Sequence, residues 1–225
     1  MGEPTNSTDM TLADYDRPSV AVDVAVLTYL DDNLHVLVVD HRLGSRALPG
    51  TFLHCGERLV DAAHRALRDK AAVTGLKFRQ LHMFDAPGRD DRGWVVSMAH
   101  TAAVPAADLP PGAILLGVDN GVVDDLAFDH ADMVRLAVDD LRARYTMQAD
   151  PDHLLGDEFT VLELRRLYEV IFARSLQKDS FRRHVVEALE NTGHLSNPGQ
   201  GRPAELFRRR AGARLPAQAA VLLTG

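Results

Sequence analysis

The spacing of apolar residues changes at Asp150-Pro151, and that change constrains the chain to a two-part architecture. Upstream, short apolar runs rich in Val and Thr are broken by turn residues, with two helical stretches set among them. Downstream the apolar spacing becomes three-and-four, ending in a basic segment rich in Gly and Pro. Strands mixed with helices, then helices, predict an α+β chain. Proline disfavours helix in the residue before it, so the seam falls at Asp150. The reading gives a polar tail over 1–17, expected to be disordered, a first domain over 18–150 and a second over 151–225.

Val20–Tyr29 and Leu34–Val39, around Asp31-Asp32-Asn33, predict a hairpin. Phe78–Ala86 and Gly93–Val104 predict a second pair of strands, joined by Pro87-Gly88-Arg89-Asp90-Asp91-Arg92, and Ile114–Val118 one more. Phe128–Tyr145 reads as a helix with Val134, Val138, Leu141 and Tyr145 on one face. Beyond the seam, Thr160 and Glu163 make a capping box for a helix whose apolar face is Leu162, Leu164, Leu167, Tyr168, Ile171 and Phe172. A second helix is expected over Phe181–Glu190, with Ser180 as cap or first-turn residue and Asn191-Thr192-Gly193 as its end. A turn at 198–203 and an extended basic strand over Ala204–Arg210 follow.

Helix, turn, helix and a Gly/Pro-tipped basic hairpin predict a winged helix, whose second helix enters the major groove by its N-terminal end. Lys178, Ser180, Arg182, Arg183 and His184 lie at that end. Arg202 and Pro203 form the wing, with Arg208, Arg209 and Arg210 behind it, and arginine suits phosphates and base edges alike. Charge agrees. Residues 1–155 hold 14 Lys/Arg against 24 Asp/Glu, net −10, whereas Arg174–Arg214 holds nine against four, net +5. A basic tail on an acidic body suits local phosphate contact; a solvated face on a protein-interaction appendage is the plainer alternative. Cys55 is the single cysteine, read as a small packed residue, so no intramolecular disulfide can form and a reducing cytoplasm is expected. No apolar run approaches the length of a membrane span.

Seven residues separate Glu57 from Arg65, and a helix follows. On that helix positions 66, 69 and 70 share one face, so carboxylates there would converge on a hard, oxygen-seeking cation such as Mg²⁺. The chain has Ala66, Asp69 and Lys70 instead. An ammonium about 5 Å from a divalent ion costs on the order of 6 kcal/mol at an effective dielectric of about 20. The plain reading of the segment is an amphipathic helix over 58–71 with Leu59, Ala62, Ala63, Ala66 and Leu67 inward.

The run from Leu48-Pro49-Gly50 through Glu57 and Arg65 to Thr74-Gly75 resembles the Nudix box, G-x5-E-x7-R-E-U-x-E-E-x-G-U, with its three metal-binding glutamates replaced. Sliding the register to place Gly75 on the final glycine puts Ala72 and Val73 on the paired-glutamate slots, which is worse for a metal. Thr51 stands for the first glycine and His54 where family enzymes often carry an acid. A second cluster, Arg89-Asp90-Asp91-Arg92-Gly93-Trp94, joins guanidiniums that pair with diphosphate to an aromatic that can stack on a base. Its bland reading is a charged hairpin tip with Trp94 anchored in the core.

That loop, with Asp179-Ser180-Phe181-Arg182-Arg183 and Gly201-Arg202-Pro203-Ala204-Glu205-Leu206-Phe207, is similar to the Nudix-related regulators of NAD metabolism called NrtR, over about residues 18–212. The resemblance implies an α/β/α sandwich carrying a winged helix, and a homodimeric repressor of NAD-biosynthesis or niacin-salvage genes on a palindromic operator. It implies ADP-ribose as effector, with Leu48, Pro49, Glu57, Arg89, Asp90, Arg92 and Trp94 around it, and neither catalytic residues, metal nor required cofactor. The rival expectation is a Mg²⁺-dependent ADP-ribose or nucleotide-sugar pyrophosphatase of the Nudix class.

Overall fold

The computed structural model describes residues 11–42, 44–196 and 203–224. Within the expected tail, residues 1–10 fall outside this range, while Thr11 and Asp14 cap a short 3-10 turn over Leu12–Asp14.

A long strand, β1 (Ser19–Leu30), organises the first part. After it come β2 (Asn33–Asp40), β3 (Arg46–Ala47), β4 (Gly50–Phe52), helix α1 (Leu59–Ala71), β5 (Arg79–Phe84), β6 (Val95–Ala103), β7 (Ile114–Gly117) and helix α2 (His130–Tyr145). The sheet runs β3-β2-β1-β6-β5, with β4 on β1 and β7 on β2; β1 and β6 are parallel and the other pairs antiparallel. Alternate residues of a strand face opposite sides, and β1 is apolar on both. Val22, Val24 and Val26 pack with Ala62, Ala63 and Leu67 of α1, while Ala25 and Leu27 pack with Met133, Val134, Ala137 and Val138 of α2. The result is the expected α/β/α sandwich.

The second part holds β8 (Phe159–Thr160), α3 (Val161–Phe172), α4 (Lys178–Val185), β9 (Leu189–Leu195), β10 (Glu205–Arg209) and α5 (Ala217–Thr224), with a three-stranded sheet β8-β10-β9. The Thr160 hydroxyl accepts from the Glu163 N–H at 3.1 Å and the Glu163 carboxylate from the Thr160 N–H at 2.7 Å, as the capping box requires. Leu162 is exposed rather than inward.

One expected helix is shorter than its pattern. Phe181–Glu190 is helical only to Val185, followed by a 3-10 turn over Val186–Ala188 and then by β9. Phe181, Val185, Ala188 and Leu189 are all buried, so burial alone does not separate helix from strand here. Cross-strand pairing decides, with Leu189 opposite Arg209 and Asn191 opposite Phe207. Asn191-Thr192-Gly193, expected to stop a helix, instead lies in a bulge of β9, where Gly193 takes φ +78° and the Thr192 hydroxyl donates to the Leu206 carbonyl at 3.0 Å. Cys55 is exposed, not packed.

The seam is a buried joint. A single apolar cluster runs from Leu27 and Val138 through Tyr145 to Leu164, Tyr168, Phe181 and Phe207. Tyr145 and Tyr168 rings lie 5.4 Å apart, and Tyr168 and Phe181 5.3 Å. Asp150, fully buried at φ +45°, accepts from the Tyr145 hydroxyl at 2.7 Å and from the N–H groups of Leu154 and Leu155 at 2.8 and 3.0 Å. Its carboxylate also pairs with Arg209 of β10, whose guanidinium donates to the carbonyls of Asp150, Leu155 and Gly156.

Asp150→Ala strands a buried guanidinium and three donors, so we expect it to destabilise the chain by about 3–5 kcal/mol, against about 1 kcal/mol for Tyr145→Phe. Urea unfolding of the full chain measures both. Equal, small losses would show that Asp150 is not the joint described.

Candidate functional site

The box-like segment separates into a part that holds its shape and a part that has lost its ligands. Arg65, nearly two turns into α1, donates to both oxygens of Glu57 at 2.9 and 2.8 Å, to the Thr51 hydroxyl at 2.9 Å and to the Phe52 carbonyl at 2.7 Å. Thr51, in the slot of the box's first glycine, thus serves as an acceptor for the arginine. The His54 N–H donates to Glu57 at 3.0 Å. Hydrogen bonds from Arg65 and His54 hold the Glu57 carboxyl down at about 2. Glu57 therefore braces the loop.

The helix ends at Ala72, which adopts φ +54° and returns its N–H to the Leu67 carbonyl. This left-handed residue occupies the place of the box's final glycine in the register that sets Glu57 and Arg65 on their slots, and it decides between the two registers. In that register Ala66 is buried, Asp69 pairs with Arg68 at 2.9 Å, and Lys70 turns toward a cleft.

That cleft, of about 320 Å³, is lined by Asp23, Arg42, Leu48, Phe52, Lys70, Arg89, Asp90, Arg92, Phe128 and His130, among others. Four of the expected effector residues meet there: Leu48, Arg89, Asp90 and Arg92. Pro49 is buried in the sheet, its carbonyl accepting from Val24 at 2.9 Å. Glu57 is held by Arg65, and Trp94 is 54% exposed at the surface rather than anchored in the core. Pro49, Glu57 and Trp94 are absent from the cleft lining.

The two loop arginines differ. Arg89, with its side chain 4% exposed, is clamped by Asp129 at 2.8 and 2.5 Å and lies 4.0 Å from Asp23. Arg92 is half-exposed, bidentate to Asp90 at 2.8 and 2.6 Å, and its guanidinium lies 5.0 Å over Phe52 and 5.9 Å from Phe128. Its hydrogen bonds hold the Asp90 carboxyl near 2. Arg89 is a structural cation, whereas Arg92 offers an open face.

Sequence reasoning missed Asp23 and His130. The Leu48 N–H donates to His130 Nδ1 at 3.0 Å, so that nitrogen is an acceptor and the proton sits on Nε2, 3.4 Å from Asp23. Ser97 donates to Asp23 at 2.6 Å. Burial pushes the Asp23 carboxyl up, but His130, Ser97 and Arg89 outweigh it and its pKa is lowered. Gly50 is required here: a Cβ at that position would lie 1.8 Å from Asp23 Oδ1. The available signal was one aspartate inside an apolar strand.

The residues do not fit the divalent cation of a Nudix hydrolase. Ala66 offers no oxygen, Lys70 repels a cation, and among the described residues no group of three or more His, Cys, Asp or Glu side chains is placed to hold a metal.

On the second part, α4 opens with Gln177 as cap, its side chain accepting from the Ser180 N–H at 2.6 Å. Ser180 is thus a first-turn residue, whereas Arg182, Arg183 and His184, expected at the N-terminal end, fall in the last turn because the helix begins at Lys178 and stops at Val185. Lys178, Arg182 and Arg183 are exposed; His184 is half-buried and bonds the Ser180 carbonyl at 2.7 Å. Arg182 reaches β10, lying 3.2 Å from Glu205 and 5.7 Å from the Phe207 ring. Of the basic run on β10, Arg208 is exposed and pairs with Glu158 at 3.3 Å, Arg209 turns inward to Asp150, and Arg210 donates to the Leu189 carbonyl at 3.1 Å. Pro203 is exposed at the start of the returning strand, and Arg202 lies outside the described residues. No helix among the described residues is long and apolar enough to cross a membrane.

An α/β/α sandwich with a disarmed Nudix helix, joined to a winged helix with a basic face, defines a ligand-sensing class of DNA-binding protein. A family model for the NrtR DNA-binding winged helix domain matches residues 151–209. Shewanella oneidensis NrtR, solved in complex with a 27mer DNA, is 30% identical with a TM-score of 0.70, covering 90% of this chain and 96% of that one. The chain belongs to the NrtR family of Nudix-related regulators. It is also similar to the ADPR responsive transcriptional repressor NtrR of Acinetobacter baylyi, at 29% identity over 87% of this chain and 84% of that protein. An ADP-ribose pyrophosphatase of Methanocaldococcus jannaschii is 28% identical over 54% of this chain and 73% of that enzyme.

Because Glu57 titrates near 2 rather than its ordinary 4.5, its pairing supports the fold fully above about pH 4.5 and is lost as pH falls toward 2. The melting temperatures of wild type and Glu57→Gln should differ most above that range and converge toward pH 2. A gap that stays constant with pH would remove Glu57–Arg65 as the brace.

Proposed function

We propose that the protein is a transcriptional repressor that binds a palindromic operator as a cytoplasmic homodimer and senses ADP-ribose or a related NAD-derived nucleotide. The observation that carries this reading is the outward set Lys178, Arg182, Arg183 and Arg208 on a matched winged helix, attached to a body of net charge −10 over residues 1–155. A repressor of Acinetobacter baylyi that responds to ADPR supports the effector, and the DNA-bound relative supports the target. By that likeness, the genes are those of NAD biosynthesis or niacin salvage.

Lys178, Arg182 and Arg183, on the exposed face of α4, meet base edges, while Arg208 on the returning strand and Pro203 at its start, with Arg202 before them in the sequence, meet phosphates. Leu48, Asp90 and Arg92 border the effector; Phe52 and Phe128 give its base an apolar, aromatic wall. Pro49, Glu57 and Arg89 shape the cleft from behind. ADP-ribose can lift the protein from DNA only by as much as it prefers the arrangement in which two recognition helices no longer match half-sites about one helical turn apart.

Similarity to an ADP-ribose pyrophosphatase favours a second reading, a Nudix hydrolase. Ala66 and Lys70 stand against it, and no catalytic residue is assigned.

Fluorescence anisotropy on promoter DNA of NAD-synthesis genes, at fixed salt, tests the reading. We expect salt-sensitive, sequence-selective binding, reversed by ADP-ribose and weakened roughly 100-fold or more by Arg182→Ala/Arg183→Ala with the first domain still folded. Unchanged operator binding by that double variant would refute the assigned reading head. Mg²⁺-dependent release of AMP from ADP-ribose, lost in Glu57→Gln, would restore the hydrolase.

A further inference from the structure

The cleft carries a cation that nothing described so far uses. Four cationic side chains line it, and three are committed: Arg42 pairs with Asp91 at 2.8 Å, Arg89 with Asp129 at 2.5 Å and Arg92 with Asp90 at 2.6 Å. The cleft's carboxylates are committed too, Asp23 to Ser97 and His130, Asp40 to Arg46, and Asp90 to Arg92. Lys70 is the remaining cation, and among the described residues no carboxylate stands within ion-pair distance of it. It borders both the 320 Å³ cleft and a neighbouring groove of about 560 Å³. Partial desolvation there lowers its pKa, with Asp23 pulling the other way.

Its position adds the second argument. The register fixed by the Ala72 cap places Lys70 in a slot where a hydrolase presents a glutamate to its cation. A divalent ion in such an enzyme puts positive charge between the helix and the ligand's phosphates. Here the carboxylate has become a positive charge on a four-carbon stem, rooted at the same point of the helix and bordering the same cleft.

We propose that the Lys70 ammonium takes over the electrostatic role of the divalent cation, so that α1 holds the ligand's diphosphate directly and without metal. The inference rests on reading the cleft as a site for a nucleoside diphosphate. It gives the diphosphate a donor that the loop arginines, already paired, do not supply.

Calorimetric titration of the full-length protein with ADP-ribose, and separately with inorganic pyrophosphate, in excess EDTA tests it. Wild type should bind equally well in EDTA and in Mg²⁺. Lys70→Met should lose about 10- to 100-fold in affinity, the effect of one charge-assisted hydrogen bond, while Lys70→Arg stays within a few-fold. Arg68→Met, on the same turn but outside the cleft, should bind as wild type does. Lys70→Met binding as wild type overturns the inference, as does equal loss in Arg68→Met or a wild-type requirement for Mg²⁺. If pyrophosphate binds through Lys70 but ADP-ribose does not, the effector is wrong and the inference stands. If neither binds, both fall.

Discussion

A buried carboxylate holds this molecule together as one body. Asp150 lies where a flexible linker would be expected, yet it is fully buried and has no solvent to share its charge. An ion in that position is tolerated only when its oxygens are saturated with donors. Tyr145 of α2, the turn at Leu154 and Leu155, and Arg209 of β10 supply them. These donors come from three different structural elements, so the requirement to satisfy one charge fixes the sandwich, the joint and the wing relative to one another. The left-handed backbone at Asp150, which its short polar side chain can stabilise locally, lets the chain turn into this arrangement.

The Nudix-like helix shows that shape and chemistry can be lost separately. Arg65 and Glu57 tie the loop to α1 through four acceptors, and that knot is intact. The face that would hold a metal offers a buried methyl at Ala66 and an ammonium at Lys70 in place of carboxylates. The cleft persists because its walls are held by Asp23, Arg89, Asp129 and His130, none of which depends on a cation. The cleft and its lining thus stand independently of any metal-binding face on α1.

Much of the architecture was legible in the sequence, for identifiable reasons. The hairpin of β1 and β2, the buried stripes of α1 and α2 and the Thr160–Glu163 cap are written in short-range periodicity and local hydrogen bonding. The end of α4 was not, because Val185 to Leu189 is apolar in a pattern that suits helix or strand, and pairing with β10 is a long-range fact. The basic run 208–210 looked uniform along the chain, yet strand alternation turns Arg209 inward and leaves its neighbours outside. In the loop at 89–94 composition announced a cluster of charges but not its wiring, which depends on Asp129 and on the rings of Phe52 and Phe128. Asp23 and His130 lie over a hundred residues apart and meet only in the fold.

The methyl of Ala66 and the ammonium of Lys70 also bear on time. A switch that destroys its own ligand resets itself at a rate set by its chemistry, and its output records how long ago the signal arrived. On the function proposed above, a sensor whose helix performs no turnover has no such clock. Its occupancy follows the present concentration of the metabolite, rising and falling with it, and other proteins in the cell decide how long the message lasts.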